Sequence, residues 1–307
     1  MKKKFFLSFM IPLLFMISDG YISQSSGEDP IKKNMRNAIL AGQWYPGTQS
    51  ALSKLIRNYL SNVKPVTLDG ELKAIIVPHA GYVYSGQVAA HAYSLLKSRN
   101  FKMVIMIGPS HRVGFRGISV NLQPGYKTPL GVVPVDRDLG KKIIHADDKI
   151  RWIPRAHAFE HSLEIQVPFL QIVLGDFQIV PILMGQQDAN TCSVLVRSLM
   201  NALGNMDRTL VLASTDLSHF HDYRRAMELD HEFIKHVREF KPEGLADSLS
   251  SGRCEACGSG PALTTMSVAK ALGANRAVIL NYANSGDVTN DRSRVVGYLS
   301  AALIQRN

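Results

Sequence analysis

The sequence predicts a single α/β domain in which a mostly parallel central sheet is flanked by helices. Short apolar runs bounded by Gly or Pro alternate with stretches of helical spacing, a pattern typical of parallel sheets covered by helices. The 307 residues are 46% hydrophobic, with no internal repeat or break in composition. One domain over residues 37–307 is therefore predicted.

The elements follow from the spacing of apolar residues. Leu52, Leu55 and Ile56 share one face of a helix over 51–60, and a helix over 160–170 is expected to bend near Pro168. The other predicted helices are 86–96, 136–144, 190–203, 223–239 and 261–272. The predicted strands are 74–78, 103–107, 117–120, 177–183, 209–213, 276–282 and 295–304.

The N-terminal segment has the pattern of a targeting signal. Lys2, Lys3 and Lys4 precede an apolar run over 5–17 that is short for a bilayer span. Residues 1–25 are predicted to be a signal peptide or an uncleaved anchor, and residues 26–36 a linker. If this segment is a signal peptide, the protein is expected to be exported or periplasmic; if it is not, the protein is expected to be cytoplasmic. Membrane contact is expected only through this segment.

Composition argues against several classes of function. The net charge is +10, but Lys and Arg are scattered, so no nucleic-acid partner is predicted. Gly125 and Gly131 fit neither GxGxxG nor GxxxxGK, so no nucleotide cofactor is indicated. Three cysteines do not make a disulfide scaffold.

Histidines follow separate predicted strands. The strand at 74–78 runs into His79, and the strand at 103–107 runs through Gly-Pro-Ser into His111. Ligands collect at the carboxyl ends of strands in open α/β sheets. Although a lone histidine there is often structural, the repeated placement favours His79 and His111 as metal ligands.

Asp216 and His219 follow the strand at 209–213. They would share a face if a helix began there. Asp216 could then hold the ring N–H of a ligand histidine, and His219 could act as a ligand or as a general base. The alternative is that Asp216 and Ser214 only cap a helix.

Two further segments contain candidate ligands. His161 and Glu164 are three residues apart on a predicted helix and could face one cleft, while the adjacent Glu160 would point elsewhere. The alternative is an acidic first turn that only complements the helix dipole. Cys254 and Cys257 form a single CxxC, which is weak evidence for structural zinc. A helix start after Cys257 would lower its pKa and favour metal binding or nucleophilic chemistry.

Seven ordered blocks resemble the Memo family, called protein B of the AmmeMemoRadiSam system in bacteria and archaea. They are AGQWY (41–45), VPHAGY (77–82), GPSH (108–111), EHSLE (160–164), STDLSH (214–219), CG (257–258) and LNY (280–282). The family is similar in fold to class III extradiol dioxygenases, which hold non-haem iron with two histidines and a carboxylate. Memo-like proteins have a cysteine in place of that carboxylate.

This resemblance implies that His79, His111 and Cys257 hold iron or copper, with zinc as an alternative. Asp216 and His219 would lie beside the metal as the catalytic pair. Trp44, Tyr82 and His161 would line the cleft.

The function implied is redox or dioxygenase-like chemistry on an unknown substrate, by a possible metal-dependent oxidoreductase. One alternative is a non-enzymatic module that binds a peptide or small molecule through Trp44 and Tyr82. Another is a zinc-type metallohydrolase. The chain departs from the family pattern in its apparent signal peptide and in Cys254, which could form a disulfide with Cys257.

Overall fold

The structure is a computed structural model that describes residues 35–97, 99–204 and 208–306. The predicted signal peptide or anchor and residues 26–34 of the predicted linker lie outside these ranges. No helix in the described part of the chain is long and apolar enough to cross a membrane.

A nine-stranded mixed sheet, counted over the described residues, forms the centre of the domain and confirms the predicted α/β class. Its strands are β1 (Glu71–Val77), β2 (Met103–Pro109), β3 (Ile118–Val120), β6 (Ile150–Arg151), β7 (Gln178–Met184), β8 (Thr209–Ser214), β9 (His219–His221), β10 (Arg276–Asn284) and β11 (Val295–Gln305). A separate hairpin is formed by β4 (Gly125–Thr128) and β5 (Gly131–Pro134).

The strand order places three carboxyl ends side by side. The order is β10-β11-β1-β8-β2-β7-β3-β6, with β9 paired to β11. Strands β1, β8, β2 and β7 are parallel, whereas β11 and β3 run antiparallel to their neighbours β1 and β7. Because β8 lies between β1 and β2, the residues that follow Val77, Ser214 and Pro109 meet at one edge of the sheet.

Helices cover both faces of the sheet. They are α1 (Gln49–Ser61), α2 (Tyr82–Ser94), α3 (Arg137–His145), α4 (Pro154–Ala158), α5 (Val167–Val173), α6 (Ala189–Leu203), α7 (Tyr223–Arg238), α8 (Pro242–Ser250), α9 (Ser259–Ala271) and α10 (Ser285–Thr289). In β1, Ile75 and Val77 pack in the core cluster with α1, α2 and α5, while Ala74 and Ile76 pack in the cluster with α3, α6, α7 and α9. Burial on both faces explains the continuous apolar runs of the central strands.

The helix predicted over 160–170 is wrong in its first half. Residue 161 is irregular, residues 162–163 form a turn, a 3-10 turn covers Glu164–Gln166, and α5 begins only at Val167. Pro168 lies in the first turn of α5, where a missing N–H costs no helical hydrogen bond. Since no regular helix connects them, His161 and Glu164 do not share a face.

Glu164 instead lies fully buried, where it holds the start of the described chain. Its carboxylate pairs with the guanidinium of Arg36 and accepts hydrogen bonds from the Leu40 backbone N–H and the Tyr45 hydroxyl. The Arg36 side chain, only 2% exposed, also donates to the carbonyl oxygen of His157. Arg36 and Leu40 are therefore anchored in the core.

Arg36→Met is expected to lower the free energy of unfolding by about 3–5 kcal/mol, because it leaves the Glu164 carboxylate buried and uncompensated. Urea unfolding measures the loss. Lys141 pairs with Asp138 on the surface at 3.2 Å, so Lys141→Met serves as the control and should cost no more than about 1 kcal/mol. Equal losses in the two variants would contradict a structural role for the buried pair.

Candidate metal centre

Three imidazoles meet at the edge of the sheet. His79 follows β1, His111 follows β2, and His161 lies in the turn after α4. One potential ligand atom from each lies within 4.8 Å of the others, so the group could hold a metal ion. The His111 and His161 rings stack with centroids 4.4 Å apart, and the His79 ring meets His111 edge-on at 5.1 Å.

His79 is held at both its backbone and its ring. Its N–H donates to Oδ1 of Asp216 at 2.7 Å, and its Nδ1 lies 3.0 Å from Oγ of Ser214. Burial, with a contribution from the neighbouring His111, lowers the pKa of His79 to about 3. The ring is therefore neutral near pH 7, which is the form that binds metals.

Glu160 holds His111. The predicted helix does not give it this role, because on a helix the Glu160 side chain would point elsewhere. Its Oε1 lies 2.9 Å from Nδ1 of His111 and also accepts the backbone N–H groups of His161 and Ser162. Burial alone would raise the pKa of Glu160, but the hydrogen bond from His111 and the nearby imidazoles bring it to about 2. The carboxylate thus accepts a hydrogen bond from the Nδ1–H group of His111, so Nε2 of that ring stays free as a ligand.

His161 has a buried ring nitrogen whose surroundings fit a bound metal ion. Its Nδ1 is buried without a hydrogen-bond partner, although Oε1 of Glu160 is only 3.4 Å away. The ring packs on Trp44 with centroids 4.7 Å apart, and burial together with His79 lowers its pKa to about 3. Buried ring nitrogens normally have a partner, and an ion bound to the three imidazoles would suit this group.

Cys257 adjoins the imidazoles through His79. Its Sγ lies 3.1 Å from Nε2 of His79 and accepts the backbone N–H of Asp216 at 3.3 Å. Burial, and then the charge of Asp216, raise the pKa of the thiol above its ordinary value. The lowering expected from the helix start is therefore wrong, because burial outweighs the position just before α9.

Close packing places Cys257 against the end of β8. A Cβ on Gly258 would lie 2.5 Å from the carbonyl oxygen of Ser214, so only glycine permits this approach. Cys254 lies in the core at 1% exposure, and burial raises its pKa to about 12. Both cysteines are free thiols in the structure.

Asp216 lies in the irregular segment after β8 and His219 is the first residue of β9, so no helix begins there. Asp216 therefore caps no helix, and it accepts the backbone N–H of His79, not a ring N–H. Burial raises the pKa of Asp216 to about 6 despite that hydrogen bond. Nδ1 of His219 lies 2.8 Å from the carbonyl oxygen of Leu217 and donates to it.

A cleft of about 520 Å³ opens over the imidazoles, and Asp216 and His219 line it together with Trp44. Tyr82, expected in its wall, is instead 3% exposed, and its hydroxyl donates to the carbonyl oxygen of Ile165. Tyr84 lines the cleft in its place. Two steps along α2 turn a side chain by about 200°, so the two tyrosines point to opposite sides of the helix.

The sequence profile of the Memo family, described as Memo-like protein, matches residues 36–302. The chain belongs to the Memo family. It is 37% identical over 278 residues to a MEMO1 family protein of Methanosarcina acetivorans, which covers 88% of this chain and 98% of that relative. A MEMO1 family protein of Methanopyrus kandleri is 35% identical over 281 residues, covering 88% and 99%. One of Ignicoccus hospitalis is 36% identical over 276 residues, covering 86% and 96%.

In this Memo-family chain, Glu160→Gln is expected to weaken metal binding by about 10–100-fold, because the partner of His111 loses its charge. Titration with Co²⁺ and a thermal unfolding scan measure affinity and folding separately. Glu232 lies 3.0 Å from His236 outside the cleft, so Glu232→Gln is the matched control and should keep full affinity. An unchanged Co²⁺ affinity in Glu160→Gln would contradict this role for Glu160.

Proposed function

We propose that the protein is a metal-dependent redox protein that holds one iron or copper ion with His79, His111 and Cys257, with His161 as a further donor. The observation that carries the proposal is the contact of 3.1 Å between Sγ of Cys257 and Nε2 of His79 at the edge of the three-imidazole group. It puts a soft sulfur donor beside one of the three imidazoles, whereas the group of mutually close ligand atoms is formed by the imidazoles alone.

The donor set favours a transition metal over magnesium or calcium. Imidazole suits iron, copper and zinc, and thiolate is a soft ligand that is itself oxidisable. A bound iron or copper ion would supply one-electron chemistry or oxygen activation. The buried imidazoles with lowered pKa values offer neutral ligands throughout the physiological pH range.

Asp216 and His219 are the groups proposed to handle protons. The Nδ1 proton of His219 is engaged by the Leu217 carbonyl, so Nε2 remains as the proton acceptor. Asp216, whose pKa is raised to about 6 by burial, can hold a proton just below neutral pH. Both side chains line the same cleft as the three imidazoles of His79, His111 and His161.

The cleft is proposed to take a small organic molecule or a peptide side chain. Its volume of about 520 Å³ lies within the range of small-ligand sites. Trp44, Tyr84 and Tyr298 provide aromatic surface beside the polar floor. Substrate would therefore pack against the aromatic wall with its reacting end toward His79 and His219.

Metal analysis of protein purified without added metal tests the proposal, with absorption spectra recorded under air and under nitrogen. We expect about one iron or copper per chain, with a sulfur-to-metal absorption band that disappears in Cys257→Ala. Zinc alone, with no spectral response to air or reductant, would overturn the redox proposal in favour of a metallohydrolase. Failure to bind any of these metals would favour the non-enzymatic binding module.

A further inference from the structure

A run of buried hydrogen bonds leads from α2 to the ring of His79. The Tyr93 hydroxyl donates to Oε1 of Gln166 at 2.6 Å, and Nε2 of Gln166 donates to the Pro78 carbonyl at 2.9 Å. A carbonyl oxygen only accepts hydrogen bonds, so the Pro78 contact decides which end of the amide is nitrogen. The same Nε2 also donates to Oγ of Ser214 at 2.8 Å.

Ser214 is the last residue of β8, and its hydroxyl carries a single proton. That proton goes to the carbonyl oxygen of Ser162, 2.6 Å away, because a carbonyl offers no proton in return. Oγ of Ser214 therefore accepts from Gln166 and from Nδ1 of His79, which is 3.0 Å away. His79 consequently carries its ring proton on Nδ1, and Nε2 keeps a free lone pair.

The other tautomer of His79 would find partners as well. Nε2 lies 3.1 Å from Sγ of Cys257 and 3.9 Å from Oδ2 of Asp216, and either atom could attract a proton placed on Nε2. A proton there would block the nitrogen that a metal ion needs. The contacts at Nδ1 therefore decide whether the ring acts as a ligand or as a donor.

The surroundings keep these hydrogen bonds in one direction. Tyr93, Ser162 and Ser214 are 0% exposed and Gln166 is 1% exposed, so solvent cannot replace a lost partner. Reversing the Ser214 hydroxyl would leave the Ser162 carbonyl without a donor in the protein interior. Such an unpaired buried group is costly, which makes the observed arrangement strongly preferred.

We propose that Gln166 and Ser214 are positioning residues that hold His79 in the Nδ1-protonated tautomer, so that Nε2 is ready to bind a metal ion. This inference rests on the proposed metal site and deepens it by naming the residues that prepare one ligand. Neither side chain lines the cleft or belongs to the group of ligand atoms, so both act through His79.

The test reads the tautomer of His79 in metal-free protein from ¹H–¹⁵N NMR spectra of the ring nitrogens, assigned with His79→Ala. The native protein is expected to show only the Nδ1-protonated ring. Ser214→Ala should convert most of the ring to the Nε2-protonated form, and its affinity for Co²⁺ should fall about 10–100-fold because only the remaining Nδ1-protonated fraction can bind. Gln166→Met keeps the Ser214 hydroxyl and should show the same change to a smaller extent.

Ser119→Ala is the matched control. Its Oγ lies 3.0 Å from Nε2 of the buried His157, so it removes a similar Ser–His contact outside the cleft. It should leave the His79 signals and the Co²⁺ affinity unchanged.

Two results would overturn the inference. One is a His79 ring that stays fully Nδ1-protonated in folded Ser214→Ala and Gln166→Met. The other is a changed tautomer with undiminished Co²⁺ affinity. If native protein binds neither iron, copper nor Co²⁺ while the variants still change the tautomer, the proposed function fails and the hydrogen-bond assignment stands.

Discussion

His79→Ala is expected to lower the affinity for iron or copper by more than about 100-fold, since loss of a ligand's hydrogen-bond partner alone costs about 10–100-fold. His79 is the central member of the site. It is within reach of both other imidazoles and of the Cys257 sulfur. Its removal therefore takes away the atom that all other candidate donors share as a neighbour.

Metal content after purification and a direct titration measure this loss. His111→Ala should behave in the same way, whereas His219→Ala removes an imidazole that lines the same cleft outside the ligand group. That control should retain the metal. Stoichiometric metal in a folded His79→Ala variant would show that the ion binds elsewhere.

Between pH 7 and 8.5, metal affinity is expected to rise by about tenfold per pH unit, because binding displaces one proton from the Cys257 thiol. Burial raises the pKa of Cys257 above its ordinary value, so the metal-free thiol stays protonated across this window. Each increase in pH makes release of that proton easier and binding tighter. Cys257→Ala should bind more weakly, and its affinity should depend little on pH.

Isothermal titration in buffers of different ionisation enthalpy counts the released proton directly. Cys254→Ala is the control, because Cys254 is a second buried thiol with a raised pKa that lies in the core. It should keep the full pH dependence. If Cys257→Ala shows the same slope as the native protein, the third ligand is His161 and the sulfur only neighbours the site.

Local patterns were sufficient to predict the strand-end histidines. His79 and His111 each follow an apolar run at a distance of one to four residues. Such continuous apolar runs are typical of parallel strands that are buried on both faces. Once the strands are parallel members of one sheet, their carboxyl ends must lie at the same edge. The fold class and these two positions could therefore be predicted before any contact was known.

The orientation of side chains between elements could not be predicted in this way. The apolar spacing predicts a continuous helix on which Glu160 would point away from the site, whereas the chain forms no regular helix until α5 starts at Val167. A proline within an apolar helical pattern predicts a bend, but it is equally suited to a helix start, and Pro168 lies at the start of α5. The family resemblance predicts Tyr82 in the cleft, but the orientation of α2 places Tyr84 there instead.

By itself, the sequence determined an α/β fold with two histidines at strand ends, because apolar periodicity and the residues that end a strand are local properties. The tertiary structure decided that His161 joins them, that Glu160 and Ser214 hold their ring nitrogens, and that burial raises the pKa of Cys257. These features depend on contacts between segments that are far apart in the chain, and on desolvation, which exists only once the core has closed.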